Sequence, residues 1–362
     1  MTTTPLGAEI RRQIAAEGPM TVAQYMALCL NHPQFGYYLV RDPIGRAGDF
    51  ITSPEISQMF GELVGLWTAS VWQMIGAPAR LRMIELGPGH GTLMRDALRA
   101  MKTVPGLKAA LSVDLIEVSP VLRERQRAVL FGTGVAVEWH DTVASVPDGP
   151  AVVVANEFFD ALPVHQAVHQ ADGWHERLVT LDADGDLAFA TDTNVLAQTP
   201  PNAPLGAPSG AIFEWRDDAG ARELGQRVMR SRGAALIVDY GHTSTAAGET
   251  LQAVRGHAFA GPLEAPGRTD LTAHVDFEAF GRSVEAAGAK AFGPVGQGTF
   301  LRRLGIHERA AVLRKGAMPH QIRDIDAAVL RLTEPGKRGM GDLFKVMAFG
   351  HPDLGSLPGF GD

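Results

Sequence analysis

The chain alternates short apolar runs with longer stretches in which apolar residues return every three or four positions. Residues 81–86, Leu-Arg-Met-Ile-Glu-Leu, form the first run, and a helical pattern begins around Leu93. Residues 112–118 and 135–141 are the second and third runs; residues 151–155, Ala-Val-Val-Val-Ala, are the fourth. The fourth is apolar throughout, as expected of a parallel strand covered on both faces. A helix over 217–230 leads to a fifth run at 234–241, and a helix over 276–287 leads to a sixth near 289–295. Two helices are predicted between Phe300 and Leu332, and residues 343–349 close the series as a hairpin-like last strand. Strands alternating with helices in this way predict a doubly wound α/β sheet.

The flanking regions follow other periods. Residues 1–77 read as a helical N-terminal region, with helices at 5–16 and 21–30, the second capped by Thr21. An aromatic turn follows at 31–38. Ser53 is placed to cap a further helix, with Pro54 at its first position and an apolar face through Ile56, Phe60, Leu63, Val64 and Trp67. After Pro163, strands at 164–168, 174–181 and 187–190 are parted by Asp172-Gly173 and Asp184-Gly185, which are hairpin signals. Residues 164–215 therefore read as a β insertion, with 194–208 as its loop. Residues 242–275 lack periodicity and read as a long ordered loop. The expected organisation is a helical lid over 1–77 and an α/β domain over 78–350. That domain carries insertions at 164–215, 242–275 and 300–333, and residues 351–362 form a tail.

The turn after the first strand holds the densest chemistry: Glu85-Leu-Gly87-Pro-Gly89-His-Gly91-Thr92. A dinucleotide fingerprint is Gly-x-Gly-x-x-Gly, which seats a pyrophosphate on the helix N-terminus. Here the third glycine comes one position early, and Thr92 stands where the dinucleotide glycine belongs. The E-x-G-x-G-x-G spacing looks like motif I of class I S-adenosylmethionine methyltransferases, whose ligand carries no phosphate. Glu117, at the tip of the second strand beside Val118, is placed to accept hydrogen bonds from ribose hydroxyls. Asp141 ends the third strand, where an adenine amino group would lie. Glu157 follows the fourth. The plainer alternative is a tight turn that needs glycine for positive φ and binds nothing.

Composition narrows the partners. The net charge is −7, from 40 acidic and 33 basic residues, and no Lys/Arg run forms a phosphate-binding stripe, so no nucleic-acid partner is expected. Cys29 is the only cysteine, which excludes an internal disulfide and a thiolate zinc site. Among the 12 histidines, His165 and His169 are four apart but fall in a strand pattern, so no metal is expected. No apolar run reaches the roughly 18 residues of a membrane span, and the first 18 residues lack a secretory apolar core. The expectation is a soluble protein of a reducing compartment: the bacterial cytoplasm, or the mitochondrial matrix for a trimmed organellar homologue.

Six segments carry a resemblance to the MidA-like methyltransferases. They are residues 48–55 (Gly-Asp-Phe-Ile-Thr-Ser-Pro-Glu), 85–91, 156–163 (Asn-Glu-Phe-Phe-Asp-Ala-Leu-Pro), 238–241, 270–277 and 340–347. The likeness covers nearly the whole chain. It implies a class I, Rossmann-like, seven-stranded methyltransferase sheet with an N-terminal helical lid and inserted hairpin and helical segments. It implies S-adenosyl-L-methionine as cofactor and S-adenosyl-L-homocysteine as product. The family includes a mitochondrial arginine methyltransferase that assists assembly of respiratory complex I. The implied substrate is thus an arginine on the complex I subunit that lines the quinone site, dimethylated symmetrically.

Arginine chemistry then assigns the acids. A guanidinium is a poor nucleophile because its charge is delocalised and its pKa exceeds about 12. Carboxylates that grip two of its nitrogens orient the third. Glu157 is the expected clamp, with Asp160 or Glu55 as a second acidic wall. Asn156 is expected to hold the substrate or the methionine end of the cofactor. Thr52, Ser53 and Glu55 are expected to close over that end. Asn156 and Asp160 are equally able to tie down the turn through backbone bonds. Arg255, Gly256, His257, Asp270 and His274 are candidates to grip the protein substrate. Two further classes stay open: an S-adenosylmethionine-binding assembly chaperone with little catalysis, and a nucleotide-linked oxidoreductase on the same fold.

Overall fold

The computed structural model describes residues 4–40, 45, 51–336 and 339–361. Two compact units interleave along the sequence. One is built from Ile51–Phe158, Asp218–Thr243 and Phe280–Asp362; the other from Met1–Phe50, Phe159–Asp217 and Ser244–Ala279. Among the described residues, no helix is long and apolar enough to cross a membrane.

The first unit is organised by seven strands: β1 (Leu81–Leu86), β2 (Leu111–Ile116), β3 (Ala136–His140), β4 (Ala151–Asn156), β5 (Ala234–His242), β6 (Lys290–Gly296) and β7 (Phe344–Gly350). Their order across the sheet is β6-β7-β5-β4-β1-β2-β3. β4, β1, β2 and β3 run parallel with β5, and β7 is antiparallel to both β5 and β6. All seven predicted strands are present within about two residues of their expected bounds. Every residue of β4 is buried, which explains its unbroken apolar run. The chain order reverses between β1 and β4, and the crevice beyond their carboxyl ends is where open α/β sheets take ligands.

Helices cover the sheet of this unit. α1 (Ser53–Ile56) and α2 (Gln58–Met74) are separate, because Ser57 adopts an extended conformation and caps α2 with its own hydroxyl. The single helix expected from Ser53 is therefore two, and Thr52 rather than Ser53 holds the cap position of the first. α3 (Thr92–Met101) follows the glycine turn, and α4 (Pro120–Leu130) follows β2. Gly65 lets α2 approach α3 closely: an added Cβ would stand 2.5 Å from the Ala97 carbonyl oxygen. Residues 297–333 form three helices rather than the two expected, Gln297–Arg303, Ile306–Arg314 and Pro319–Thr333. Gly305, at φ 90°, parts the first two. On the sheet, Asp114, Glu138 and His140 bring ligand-type atoms within 4.8 Å of one another. Arg82 already occupies Asp114, donating to both carboxylate oxygens at 3.0 Å.

The second unit contains helices Pro5–Glu17 and Val22–Asn31, the latter closed by a reciprocal capping box between Thr21 and Gln24. Its five-stranded sheet joins Met20–Thr21 to Gly173–Leu181, His165–Gln170 and Ile212–Trp215, with Leu187–Val195 alongside. The segment 242–275, expected to lack strands, carries three, Gln252–Arg255, Ala258–Ala260 and Asp270–Thr272, and a fourth, Val275–Asp276, begins at its last residue. Their pattern is too short and mixed to register as periodic. Leu6, Ile10, Tyr25, Met26, Cys29, Leu30, Val179 and Leu271 form the core of this unit. Burial pushes the Cys29 thiol up to about 12.

Candidate functional site

β1 delivers Glu85 and then three residues of left-handed backbone, Gly87, Gly89 and Gly91, at φ 57°, 51° and 80°. Side chains strain in that region, so the alternate glycines follow from the turn itself. Gly87 has a second reason: an added Cβ would lie 2.7 Å from Cδ2 of Phe158. Glu85 is buried, and its Oε2 has no hydrogen-bond partner among the described residues. Burial pushes its carboxyl up to about 8, from an ordinary value of 4.5. An orphaned buried carboxyl oxygen asks for a donor. Beside a turn open to backbone approach, it suits a cationic amino acid and disfavours a phosphate.

The second acid is held by a residue that the motifs did not flag. Gln126 of α4 donates Nε2 to the Gly89 carbonyl at 2.8 Å and to Glu117 Oε2 at 3.2 Å, while accepting Trp139 Nε1 at 2.8 Å. It thus joins the turn after β1, the tip of β2 and strand β3. Leu122, Gln126 and Leu130 are the buried positions of α4. A glutamine in that four-residue stripe is the signal that could have found it. Glu117 Oε1 also accepts the Ser119 amide at 2.8 Å. Burial raises the Glu117 carboxyl, partly offset by those bonds. Val118 beside it is half exposed. Asp141 is mostly exposed and pairs at 2.6 Å with Arg123, whose Nε also donates to the Glu117 carbonyl.

The reaction-side candidates gather after β4. Glu157 is in left-handed backbone at φ 52°, an uncommon state for a residue with a Cβ. Its amide donates to the Val238 carbonyl at 2.9 Å. Its Oε1 accepts the Ser53 amide at 3.0 Å and Asn156 Nδ2 at 3.1 Å. Buried Asp239 secures the next residue by accepting the Phe158 amide at 3.2 Å. Ser53 Oγ donates to Gln297 Oε1 at 3.1 Å. Glu55 faces the glycine turn: its Oε1 accepts Thr92 Oγ at 2.6 Å and lies 3.5 Å from His90 Nδ1. The His90 bond, then that of Thr92, hold its carboxyl below the usual range against a partial burial penalty.

Glu157, Asn156 and Ser53 are thus brought together, as are Glu55, His90 and Thr92. Thr52 is buried and makes no side-chain cap bond. Asp160 belongs to the other unit, where it is buried and its carbonyl accepts Arg216 Nη2 at 3.1 Å and the Ala273 amide at 3.0 Å. Asp270 of that unit accepts the Tyr38 hydroxyl at 2.9 Å. Gly48, Asp49 and Phe50 of the 48–55 motif lie outside the described residues.

Known proteins resemble this chain over most of its length. A family model of S-adenosyl-L-methionine-dependent methyltransferases matches residues 63–295. A Drosophila melanogaster relative, the homologue of the mitochondrial protein arginine methyltransferase NDUFAF7, is 38% identical over 95% of this chain and 84% of its own length. The Homo sapiens protein is 37% identical over 86% of this chain and 75% of its own length. A Burkholderia thailandensis crystal structure bound to S-adenosyl-homocysteine has a TM-score of 0.84 at 30% identity, covering 98% of this chain and 93% of that one. Glycine spacing, strand order and these matches converge, and the chain belongs to the MidA-like family of S-adenosyl-L-methionine-dependent methyltransferases.

Proposed function

We propose that this methyltransferase modifies an arginine of a protein substrate, and that the substrate is the complex I subunit lining the quinone site, dimethylated symmetrically in support of assembly. The printed names of the relatives support the arginine; the family resemblance supports the rest. The mitochondrial naming of those relatives favours the respiratory compartment, or the bacterial cytoplasm facing an equivalent complex. The observation that carries the reading is the Glu157 carboxylate, held in an unusual backbone state by donors from two segments.

S-adenosyl-L-methionine supplies, when bound, an electrophilic methyl carbon on a good leaving group. Glu85, the backbone of Gly87, Gly89 and Gly91, Glu117, Val118 and Asp141 are the residues assigned to hold it, with Thr52 and Ser53 closing over its amino-acid end. The work left to the chain is alignment, which supplies much of the rate of an in-line displacement. The two described bonds on Oε1 orient the Glu157 carboxylate, a group that pairs with guanidinium N–H donors. Gripping two nitrogens turns the third towards the methyl carbon and draws positive charge from it. With the cofactor bound, the nitrogen so turned would take the methyl group as the C–S electron pair went to sulfur, and its proton would leave to water. Asn156 steadies the clamp.

Labelled methyl incorporation into that subunit, followed by mass spectrometry of its arginines, tests the reading. Symmetric dimethylarginine that depends on this enzyme is expected. An unlabelled subunit, or label on another residue type, removes the proposal.

Glu85 adds a dependence on pH. Its carboxyl, at about 8, is neutral at pH 7 in the ligand-free protein. A cationic cofactor favours the carboxylate, so binding at pH 7 releases up to one proton, and affinity climbs by up to about tenfold per pH unit before levelling above the pKa. In the ligand-free protein the same raised pKa gives stability that is complete below about 4.5 and lost as pH rises through about 8. Calorimetry in buffers of differing ionisation enthalpy reads the proton directly. Binding with no proton exchange, or exchange that survives Glu85→Gln, contradicts the assignment.

A further inference from the structure

Residues 52–56 are fastened at two points to different parts of the catalytic unit. The Ser53 amide donates to Glu157 Oε1, and two residues later Glu55 Oε1 receives Thr92 Oγ and faces His90. Only Pro54 stands between, and its ring fixes one backbone torsion. A shift at Glu55 is therefore passed to Ser53 with little slack. Thr92 begins α3, and His90 sits inside the glycine turn, so the Glu55 end of the strap is anchored in the cofactor motif. Buried Ser53 Oγ is held in turn by Gln297, whose Nε2 donates to the Leu332 carbonyl at 3.0 Å.

We propose that Thr92 and His90 are positioning residues for methyl transfer, acting through Glu55 and the strap 52–56 to align the Glu157 carboxylate. The proposal rests on reading Glu157 as the target-facing acid and gives Glu55 a different task from an acidic wall. A carboxylate on left-handed backbone keeps its direction only while its surroundings hold it. Two side-chain holds converge on Oε1 here, one from the neighbouring Asn156 and one from the strap. The bond from Thr92 to Glu55 is short and charge-assisted, the kind with most leverage on geometry. The cofactor turn and the reactive acid are thereby set by one continuous run of bonds within a single unit.

The test compares Thr92→Val, which removes the donor at constant shape, with Thr92→Ser, which keeps it. In the cofactor-free protein, amide exchange at Ser53 reports the strap without any turnover. Thr92→Val is expected to speed that exchange and to lower kcat by about tenfold, the usual leverage of a hydrogen bond to a charged group. Affinity for S-adenosyl-L-methionine should fall by less than kcat does, because Thr52 and Ser53 are only two of the residues assigned to hold it, and Thr92→Ser should restore both readouts. Glu55→Ala serves as the second variant and should reproduce the Thr92→Val pattern. Wild-type Ser53 exchange in both variants, a loss of cofactor affinity in step with kcat, or failure of serine to restore turnover would overturn the proposal. Glu157→Gln is assayed beside them. Full turnover there defeats the reading of Glu157 itself, whereas an inactive Glu157→Gln with a fully active Thr92→Val defeats the strap alone.

Discussion

Glu157→Gln is expected to lower methyl transfer by about 10²–10³-fold, the usual cost of removing one preorganised electrostatic group. Affinity for S-adenosyl-L-methionine should hold nearly constant. The substitution keeps the described bonds. A glutamine carbonyl still accepts the Ser53 amide and Asn156 Nδ2, which meet on one oxygen in the native chain. The backbone bond to Val238 is untouched, and the strain at φ 52° is the same for either side chain. What disappears is the negative charge. A guanidinium gripped by an amide loses both its orientation and its counter-charge, whereas the glycine turn is unaltered. Single-turnover rates with labelled cofactor, set beside equilibrium cofactor binding, measure the two effects separately. Turnover at the native rate would take Glu157 out of the mechanism.

Gly87→Ala should damage binding and stability together. The new methyl would stand 2.7 Å from Phe158 Cδ2, on backbone at φ 57°. Overpacking of this kind costs about 1–3 kcal/mol, and alanine in left-handed backbone adds about 1 kcal/mol more. Phe158 cannot step aside freely, because its amide is tied to buried Asp239 and its neighbour is Glu157. Cofactor affinity should fall by more than tenfold, on the scale of that clash. Gly185→Ala is the control: its φ is 81°, but nothing lies within 4 Å of the added carbon. Denaturant midpoints for the two variants separate steric from backbone cost. Equal destabilisation of both would mean that the Phe158 contact is unimportant.

The sheet was legible because its strands are buried. Residues 151–155 are apolar on both faces, and that pattern has one common explanation in a chain of alternating helices. The positions of Glu85, Glu117 and Asp141 followed from the strand ends. Strands at 252–255, 258–260 and 270–272 escaped notice because Gln-Ala-Val-Arg and Ala-Phe-Ala are too short to set a period. Gln126 escaped because its role depends on three partners from three distant segments. The helix expected from Ser53 failed at Ser57, whose extended backbone restarts the chain, a choice made by tertiary contacts rather than by propensity. The pairing of Met20 with Val179 is similarly invisible to local pattern.

Cys29 has a practical consequence. It is the sole thiol of the chain, lies fully buried, and its ionisation is pushed to about 12, so alkylating reagents will find almost no thiolate there. A fluorophore can therefore be attached at one engineered cysteine with the native residue left in place. Val121 of α4, half exposed and four residues beyond Glu117, is a suitable anchor outside the residues assigned to the cofactor, and emission from it would follow nucleoside occupancy in real time.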